Sequence, residues 1–453
     1  MSVRRVMVLG SGGREHALAW RLGGDREAPE VIVAPGNAGL ATRLPCVPVD
    51  PCDAGAVVEL ALARDVDLVV IGPETPLALG VADALAAAGV PAFGPSRDAA
   101  GLESSKWFAK TVLAESGVPT ARAVRCDSTT AARAALDGFA PPWVLKADGL
   151  AAGKGVRVTA DREEAHGFLE ACLGGGAFGA GGRVVVIEEY LAGEEASVLA
   201  VTDGERFVLL PAARDFKRAL EHDLGPNTGG MGAWAPHPAV SGVLEAEIAE
   251  RVIAPVLRRM RERGTPYRGT LYAGLMLTDE GPKVIEFNAR FGDPEAQAVL
   301  PLVSGSLAEC LAGVARGALD PGTVGRRPGA AVAVALTSSA YPAEAATAGR
   351  IEGLEACEGC EGILVFHAAT APEGGGHRIT GGRAAYVVAT ADTPATAATR
   401  IRAAMASLGG QGWRHRADVA RWGADAGSAE IGTDSGAGSA PGPGSRAAFN
   451  RGG

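Results

Sequence analysis

Glu286, Asn288 and Arg290 are polar side chains that recur at every second position of one short segment. The residues between them are apolar: Ile285, Phe287 and Ala289. Successive side chains of a strand point to opposite faces, so a strand here would place the three polar groups on one face. Carboxylate and amide oxygens suit Mg²⁺, and a guanidinium beside them suits a carboxylate or a phosphate. Alternation alone favours the simpler interpretation, a half-buried strand with a solvated polar face.

Two lysine-bearing segments have the composition of phosphate-binding elements. Only six of the 43 basic residues are lysines: Lys106, Lys110, Lys146, Lys154, Lys217 and Lys283. Lys106 stands at the predicted start of a helix, and residues 143–158 have the pattern of strand, glycine-rich loop and strand. A flexible loop with Lys154 at a hairpin tip suits a flap over polyphosphate, although its spacing is not that of a P-loop. Taken alone, such a hairpin is more often an ordinary turn.

The N-terminal segment has the pattern of a parallel α/β domain up to about Gly94. Its short apolar runs predict strands at Val6–Gly10, Val31–Val33 and Leu68–Ile71. Ligands of such sheets bind at the carboxyl ends of the strands, where the sequence places Arg14, Asn37 and Glu74. Ordinary βα-turn chemistry explains the same residues equally well.

Residues 10–13 form a glycine-rich turn before a helix that is predicted to begin at Ala17. Glycines at a helix N-terminus let backbone N–H groups approach an anion. The turn is not a dinucleotide-binding fingerprint, because Glu15 replaces the last glycine and no ribose-binding acid follows the next strand. A nicotinamide-dependent dehydrogenase is therefore disfavoured.

Acidic and glycine-rich loops follow the later predicted strands. A buried strand at 184–187 leads into an acidic turn that ends at Glu195, and its carboxylates suit an adenine amino group and ribose hydroxyls. Ordering the many glycines of Gly225–Gly232 is entropically unfavourable, which makes sense if a ligand approaches their backbone. Strands at 272–277 and 284–287 form the hairpin that would deliver the polar face described first.

Length and composition limit the classes of protein. A chain of 453 residues is expected to form about three domains. The net charge of −9 argues against a nucleic-acid-binding protein, and no apolar run is long enough for a transmembrane helix. The N-terminus lacks a signal-peptide pattern and the seven scattered cysteines fit reduced thiols, so we expect a cytoplasmic enzyme. Cys357 and Cys360 form a lone CxxC pair, too little for a zinc site.

The C-terminal third differs in composition from the rest. From about Arg327, short β-like segments around glycine-rich turns predict a small β-rich domain. Beyond about Gly423 the chain consists of small residues and proline, with almost no bulky apolar side chain. Such a composition cannot offset the entropy of ordering, so the tail is expected to be disordered and dispensable.

Seven motifs occur in one order along the chain and are far more specific together than singly. They are Gly12–His16, Ala34–Asn37, Gly72–Glu74, Lys146–Val156, Glu188–Glu195, Gly225–Gly232 and Val284–Pro294. This order closely resembles the phosphoribosylamine–glycine ligase family of the ATP-grasp superfamily, over residues 1 to about 422. The resemblance implies an α/β fold, α+β overall: a parallel α/β pre-ATP-grasp domain, an ATP-grasp core with an inserted lid, and a small β-rich C-terminal domain. The implied bounds are 1–103, 104–326 with the lid at about 123–190, 327–423, and a disordered tail at 424–453.

The resemblance also implies the residues of the site. The metal, Mg²⁺ or Mn²⁺, would be held by Glu286 and Asn288. With residues 153–155 as a closing lid, ATP would contact Lys106, Lys146, Gly153, Lys154, Gly155, Glu188, Glu189, Tyr190, Leu191 and Glu195. The other substrates would contact Gly12, Gly13, Arg14, Asn37, Glu74, Asn227 and Thr228. The catalytic residues would be Arg290, Lys217 and Asp215.

The implied reaction is the ATP-dependent ligation of glycine to 5-phosphoribosylamine through a glycyl phosphate, a step of purine biosynthesis. We expect a monomer whose partners are these small molecules, without nucleic acid or membrane. The alternatives are another ATP-grasp enzyme, acting on formate or bicarbonate, and a non-catalytic nucleotide-binding module. The chain departs from the expected pattern three times, and one departure is the segment 338–342, which is less glycine-rich than expected. Phe216 occupies a position where His or Tyr is expected, and residues 272–274 lack the second metal-binding acid of many ATP-grasp enzymes.

Overall fold

The computed structural model describes most of the chain, namely residues 3–151, 155–175, 181, 183–343 and 349–421. Gly153, Lys154 and the tail at 424–453 lie outside these residues, so the predictions made for them stay predictions. Within the described ranges the chain is a mixed α/β fold with several separate sheets. None of the helices in these ranges has the length and apolar character needed to cross a bilayer.

A parallel four-stranded sheet forms the N-terminal part, with the strand order β2-β1-β3-β4. Its strands are β1 (Arg5–Gly10), β2 (Glu30–Pro35), β3 (Leu68–Ile71) and β4 (Ala92–Phe93). The accompanying helices are α1 (Gly13–Gly23), α2 (Ala54–Ala63), α3 (Glu74–Ala78) and α4 (Val81–Ala87). The three predicted strands are confirmed. Their apolar side chains are buried between the helices, as expected for a parallel sheet.

Helix α1 begins at Gly13, four residues before the predicted start at Ala17. Glu15 explains the early start, because its Oε2 accepts the backbone N–H of Gly12 at 2.6 Å. A carboxylate in the first turn also interacts favourably with the helix dipole. The N–H group that the sequence offered to an external anion is therefore bound by a carboxylate of the chain itself.

Two antiparallel sheets form the middle of the chain. The first has the order β5-β8-β6-β7, with β5 (Ala123–Cys126), β6 (Trp143–Ala147), β7 (Val156–Thr159) and β8 (Val185–Glu188). The second has the order β10-β9-β15-β16, with β9 (Glu194–Thr202), β10 (Phe207–Leu209), β15 (Gly269–Thr278) and β16 (Gly281–Asn288). The helices of this part are α5 (Gly101–Ser104), α6 (Lys106–Ser116), α7 (Thr129–Leu136), α8 (Arg162–Leu173), α9 (Gly242–Ile248) and α10 (Ala254–Glu262). The predicted β6–β7 and β15–β16 hairpins are confirmed.

A β-bulge interrupts the hairpin of β15 and β16. Gly274 lies opposite Glu286 and Leu275 lies opposite Val284, so Ile285 is the extra residue. Ile285 is half-buried, whereas Val284 is fully buried in the core. The predicted alternation therefore fails at Ile285, since one inserted residue reverses the side-chain pattern.

Beyond the bulge the predicted alternation holds. Phe287 and Ala289 are buried at 3% and 2% exposure. Glu286, Asn288 and Arg290 are partly exposed and line one cavity, described below. The shared polar face inferred from the sequence is confirmed.

A larger antiparallel sheet joins the middle of the chain to the C-terminal part. Its order is β11-β14-β19-β24-β21, and β26 also pairs with β19. These strands are β11 (Arg214–Asp215), β14 (Gly232–Ala235), β19 (Ala330–Ser338), β21 (Ile363–His367), β24 (Arg383–Ala391) and β26 (Trp413–Arg414). Because β14 pairs with β19, the glycine-rich loop just before it is fixed against C-terminal strands.

The remaining elements surround these sheets. A small C-terminal sheet has the order β22-β23-β20-β25, with β20 (Arg350–Glu352), β22 (Thr370–Glu373), β23 (Gly376–Ile379) and β25 (Gly409–Gln411). Two short hairpins are β12 (Arg218–Leu220) with β13 (Leu224–Asn227), and β17 (Val303–Gly305) with β18 (Val324–Arg326). The last helices are α11 (Glu295–Val299), α12 (Leu307–Ala315), α13 (Leu354–Glu358) and α14 (Pro394–Met405).

Three histidines connect α1 to the C-terminal strands. Nδ1 of His16 accepts the backbone N–H of His367 at 3.0 Å, and Nδ1 of His367 lies 2.9 Å from Oγ1 of Thr370. The ring of His377 follows, with its centroid 4.7 Å from that of His367. Burial lowers the pKa of His16 to about 3 and that of His367 to about 4, and the neighbouring histidine rings contribute in each case.

Acid is therefore expected to unfold the protein through this contact. The unfolded histidines titrate near 6.5, so between that pH and about 4 the native state binds fewer protons than the unfolded state. The stability present above pH 6.5 is then lost at about 1.4 kcal/mol per pH unit for each histidine. Urea unfolding measured against pH should show His16→Asn with a shallower slope than the wild type. The exposed His222→Asn is the matched control, and an equal slope in all three proteins would contradict the account.

Candidate functional site

A cavity of about 1330 Å³, here called the central cavity, is lined by residues from the N-terminal, middle and C-terminal sheets. Most of the predicted site residues line it: Gly12, Arg14, Glu74, Lys106, Lys146, Gly155, Glu188, Glu189, Tyr190, Leu191, Glu195, Asp215, Lys217, Asn227, Thr228, Glu286, Asn288 and Arg290. Residues that are 278 positions apart in the sequence, such as Gly12 and Arg290, therefore meet at one site.

Gly13 and Asn37 are not among the lining residues. The amide of Asn37 donates to the carbonyls of Ser11 and His367, at 3.0 and 2.8 Å, and its Oδ1 accepts the N–H of Leu40 at 3.0 Å. A Cβ at position 13 would lie 2.3 Å from the ring of Tyr386, so Gly13 permits close packing against β24. Both residues therefore contact the C-terminal part of the chain: Asn37 contacts His367, and Gly13 packs against Tyr386.

Glu188 lies between two lysines at one end of the cavity. Its Oε2 is 3.0 Å from Nζ of Lys146 and 3.3 Å from Nζ of Lys110, and all three side chains are at most 7% exposed. Oε1 of Glu188 is buried and has no hydrogen bond with the described residues. Lys146 also donates to the carbonyl of Ile285 at 2.9 Å, a contact that brings β6 to the bulge of β16.

Lys110 was missed as a site residue by the sequence reasoning. It lies one helical turn after Lys106 and donates to Oγ1 of Thr120 and the carbonyl of Ala121, at 2.8 and 2.9 Å. Burial lowers the pKa of Lys110 to about 8, and Glu188 opposes that shift. The scarcity of lysine in this chain was the one available signal, because no motif surrounds the residue.

Lys106 stands at the start of α6, where Ser105 caps the helix by accepting the N–H of Phe108 at 3.0 Å. Its Nζ donates at 2.5 Å to the carbonyl of Gly149, which belongs to the loop that joins β6 and β7. Burial lowers the pKa of Lys106, and Glu286 is the largest charge that opposes the shift. A cation is thus fixed beside the loop that the sequence assigns to polyphosphate.

The acidic turn after β8 has mixed roles. Oε1 of Glu189 accepts the backbone N–H of Arg122 at 2.9 Å, whereas Tyr190 is 50% exposed at the cavity. Glu195 is the second residue of β9 rather than part of the loop, and its Oε2 is 3.0 Å from Nζ of Lys217. Carboxylates, an exposed ring and backbone groups at this end suit a nucleotide base and ribose.

Glu286 and Asn288 supply the oxygen donors expected of a divalent cation site. Burial alone would raise the pKa of the Glu286 carboxyl, but Lys217, Lys146 and Lys106 outweigh it and hold the pKa below its usual range. The Asn288 side chain lines the cavity and makes no hydrogen bond with the described residues, so its amide oxygen is available. This donor set fits Mg²⁺ or Mn²⁺.

Few protein groups share that cation site. In the described part of the chain, no cluster of three His, Cys, Asp or Glu side chains is arranged to hold a metal. Opposite Glu286 and Asn288, β15 supplies Gly274 and Tyr272 rather than an acid. A metal held by one carboxylate and one amide retains open positions for phosphate oxygens and water.

Arg290 is held between two carboxylates. Its Nε donates to Oε2 of Glu74 at 3.2 Å, and its Nη2 lies 3.1 Å from Oε1 of Glu103. Burial opposes ionisation of Glu74, but Arg290 and Arg14 outweigh it and lower the pKa of that carboxyl. Burial raises the pKa of Glu103, against the effect of Arg290. The guanidinium is thereby fixed at the wall of the cavity, with 17% of the side chain exposed.

Asp215 interacts electrostatically with a buried polar cluster formed by Tyr272, Ser197 and Glu295. Tyr272 donates to Oε1 of Glu295 at 2.8 Å, and Ser197 donates to the same oxygen at 3.2 Å. Burial and the charge of Glu295 raise the pKa of Asp215 well above its usual range, and its Oδ1 has no hydrogen bond with the described residues. The buried, unpartnered carboxyl group of Asp215 therefore has a raised affinity for a proton.

The glycine-rich loop is held by its own threonine. Oγ1 of Thr228 donates to the carbonyl of Lys217 at 2.9 Å and accepts the N–H of Gly230 at 3.0 Å. Asn227 ends β13 and lies opposite Arg218. Gly230 has φ +110°, which a residue with a side chain rarely adopts, so a glycine is required there.

Phe216, which replaces an expected His or Tyr, lies under two arginines. The guanidinium carbons of Arg214 and Arg416 are each 5.3 Å from the ring centroid. The ring is 3% exposed. Cation–π contacts of this kind need no hydroxyl or imidazole, which explains why an apolar ring is accommodated.

C-terminal residues complete the cavity, and the sequence reasoning assigned none of them to the site. They are Ser338, Tyr341, Pro342, Ala343, Gly382 and Arg383. The hydroxyl of Tyr341 accepts the N–H of Gly229 at 2.9 Å, and Arg383 donates to the carbonyl of Asp293 at 2.9 Å. Nothing in the sequence indicated that these residues reach the cavity, so only the folded chain reveals their position.

Comparison with known proteins agrees with this architecture. Models of the phosphoribosylglycinamide synthetase family match residues 4–103 (N domain), 104–296 (ATP-grasp domain) and 331–422 (C domain). The chain is 46% identical over 419 residues to a phosphoribosylamine–glycine ligase of Streptomyces coelicolor, covering 92% of this chain and 98% of that protein.

The fold of this chain is also similar to those of solved structures. The crystal structure of a phosphoribosylamine–glycine ligase from Thermotoga maritima matches with a TM-score of 0.78 and 33% identity, covering 91% of this chain and 99% of that one. The biotin carboxylase domain of the Hydrogenobacter thermophilus 2-oxoglutarate carboxylase has a TM-score of 0.70 at 17% identity, covering 91% and 92%, which shows the fold alone. With three family domains matched in order and close relatives covered almost end to end, the chain belongs to the phosphoribosylamine–glycine ligase family.

Proposed function

We propose that this protein is an ATP-dependent ligase that joins glycine to 5-phosphoribosylamine, giving glycinamide ribonucleotide, ADP and phosphate. One observation carries the proposal: a single cavity combines buried lysines, a carboxylate–amide oxygen pair and a fixed guanidinium. These are the groups that phosphoryl transfer from a nucleotide to a carboxylate requires. A dehydrogenase or a plain binding module has no need for that combination.

ATP would occupy the end of the cavity where Glu188 lies between two lysines. The unpartnered Oε1 of Glu188 is suited to accept the amino group of adenine, and Glu195 to accept ribose hydroxyls. Lys106 and Lys146 would contact the phosphates, together with the loop that Gly155 ends. Positive charge on fixed side chains offsets the charge of the leaving ADP.

Glu286 and Asn288 would hold the nucleotide's Mg²⁺, with Mn²⁺ as a substitute. When bound, the cation neutralises phosphate charge and orients the phosphoryl group for transfer. Lys217 supports the same region, because it is paired with Glu195 at 3.0 Å and lies 3.6 Å from Glu286. Burial disfavours the charged form, but Glu195 and Glu286 raise the pKa of Lys217 well above its usual value, so it remains a cation.

The first chemical step would form a glycyl phosphate. A carboxylate oxygen of glycine attacks the γ-phosphorus of ATP, and the bond between that phosphorus and the bridging oxygen of ADP breaks. Arg290 faces the cavity as a fixed cation and would hold the glycine carboxylate near the phosphoryl group. Phosphorylation is needed because an amine does not displace oxide from a free carboxylate.

The second step would use the amine of phosphoribosylamine as nucleophile. The amine attacks the carbonyl carbon of glycyl phosphate, a C–N bond forms, and the C–O bond to phosphate breaks. The nitrogen must then lose a proton, and Asp215 would accept it, because its Oδ1 is unpartnered and burial raises the pKa of its carboxyl. Closure of the cavity from water would protect the acyl phosphate.

The proposed function is tested by ADP release with each substrate omitted in turn. Turnover is expected only when ATP, glycine and phosphoribosylamine are all present, with glycinamide ribonucleotide and ADP formed in equal amounts. Formate and bicarbonate in place of glycine should give no product, which distinguishes the other ATP-grasp reactions. ADP release that does not depend on glycine would contradict the proposal.

We further propose that the enzyme works as a cytoplasmic monomer on small molecules, without nucleic acid or membrane partners. The net charge of −9 supports the exclusion of nucleic acid, because non-specific binding to a phosphate backbone needs a basic surface. Light scattering after size-exclusion chromatography tests the oligomeric state. A mass of about one chain is expected, and a mass of two or more chains would refute it.

A further inference from the structure

We propose that Arg383, from the C-terminal sheet, binds the 5-phosphate of the phosphoribosylamine substrate. The inference rests on the proposed function, since that substrate carries a phosphate in addition to those of ATP. It assigns the C-terminal part of the chain a role in substrate specificity. Arg383 lines the central cavity at β24, together with Ser338 and Tyr341 from the same sheet and its following turn.

One nitrogen of Arg383 holds the guanidinium in place. Nη1 donates to the carbonyls of Gly229 and Asp293, the latter at 2.9 Å, and lies 3.3 Å from Oδ1 of Asp293. Nε and Nη2 make no hydrogen bond with the described residues. Since 21% of the side chain is exposed, one edge of the planar fork remains available to an oxyanion. A fixed guanidinium with a free edge is suited to bidentate phosphate binding.

The neighbouring loop leaves space at that edge. A Cβ at position 229 would lie 3.1 Å from Nη2 of Arg383, so the absence of a side chain at Gly229 keeps the approach open. The hydroxyl of Tyr341 holds the same residue by accepting its N–H at 2.9 Å. A glycine at position 229 therefore keeps the guanidinium of Arg383 accessible.

The charge balance of the cavity also favours Arg383. Asp293, its acidic partner, is shared, because Oδ1 of Asp293 also accepts the hydroxyl of Tyr386 at 2.6 Å and the amide of Gln297 at 2.9 Å. By contrast, Arg290 lies between two carboxylates, and Lys217 lies between Glu195 and Glu286. Among the residues that the structure describes, Arg383 thus has one carboxylate partner, which is shared with other donors, whereas Arg290 and Lys217 each have two.

The position of Arg383 agrees with the proposed chemistry. Arg383 contacts Gly229 and Gly230, and a Cβ at Gly230 would lie 2.9 Å from Oδ1 of Asp215, the proposed proton acceptor. A phosphate held at Arg383 would therefore place the rest of a short sugar phosphate near Asp215. Anchoring one end of the substrate converts loose binding into a fixed approach of the amine.

Calorimetric binding of ribose 5-phosphate and of ribose tests the proposal. The wild type is expected to bind ribose 5-phosphate well and ribose poorly. Arg383→Met should weaken ribose 5-phosphate about 30-fold, the loss expected for a charge-assisted pair of hydrogen bonds. Its affinity for a non-hydrolysable ATP analogue should be unchanged. Arg378→Met, at a side chain that is 51% exposed and outside the cavity, is the matched control.

Two results would overturn the assignment. The first is that Arg383→Met binds ribose 5-phosphate as tightly as the wild type does. The second is that the variant loses as much affinity for the ATP analogue as for ribose 5-phosphate, which would indicate a structural role. If Arg383→Met does not fold, Arg383→Lys replaces it, and retention of wild-type affinity by the lysine variant would refute bidentate binding. Turnover of wild-type protein with glycine and phosphoribosylamine is measured separately, so failure of the proposed function is distinguished from failure of this assignment.

Discussion

Replacement of Glu286 by glutamine is expected to lower kcat for ligation by about 10³-fold while the fold persists. Glutamine keeps the shape of the side chain but removes its charge. The oxygen pair with Asn288 then loses its carboxylate, and three lysines lose their shared counter-charge. Because the side chain is 30% exposed at the wall of the cavity, the thermal midpoint should change little.

Glu280→Gln is the matched control for this variant. Glu280 lies in the turn of the same hairpin, is 78% exposed and pairs with Lys283 on the surface. Its ligation rate and Mg²⁺ dependence should equal those of the wild type. Normal turnover of Glu286→Gln at limiting Mg²⁺ would show that Glu286 does not hold the metal.

Replacement of Arg290 by lysine should lower kcat/KM for glycine by at least about 10²-fold, because a compact ammonium cannot reproduce a planar fork. The guanidinium meets Glu74 and Glu103 on two sides, at 3.2 and 3.1 Å, and still faces the cavity. A lysine would leave one carboxylate unpaired and move the charge away from the glycine carboxylate. KM for ATP should change much less than KM for glycine.

Arg251→Lys serves as the control, because Arg251 pairs with Glu247 on the surface of the middle segment and is 54% exposed. Its kinetic constants should match those of the wild type. Steady-state kinetics, with glycine and ATP varied separately, measure KM for each substrate. A rise in KM for ATP alone would place Arg290 at the nucleotide instead of at glycine.

The sequence predicted the local elements because their signals are local. Apolar runs ending in glycine or polar residues identified β1, β3 and the β6–β7 hairpin, and alternation identified the polar face at Glu286. Two local predictions, the start of α1 and the alternation along β16, were wrong for reasons that lie in neighbouring residues. Glu15 starts α1 earlier by binding the N–H of Gly12, and the bulge at Ile285 breaks the alternation of β16.

The long-range contacts could not be predicted from one sequence. Arg383 reaches the cavity only because β14, from the middle of the chain, pairs with β19 of the C-terminal sheet. Lys110 of α6 pairs with Glu188 of β8, although the two elements are separated by 69 positions at their nearest ends. No periodicity or motif marks such partners, since register between distant strands is set by the whole core.

The glycyl phosphate is the central claim, and an isotope measurement tests it most directly. Glycine labelled with ¹⁸O in its carboxylate is incubated with the enzyme, ATP and phosphoribosylamine. If a glycine oxygen attacks the γ-phosphorus, each phosphate released should carry one labelled oxygen, in step with the glycinamide ribonucleotide formed. Mass spectrometry of the phosphate gives the label content. Unlabelled phosphate accompanying normal product formation would contradict the mechanism, because the carboxylate oxygen would then have left by another route.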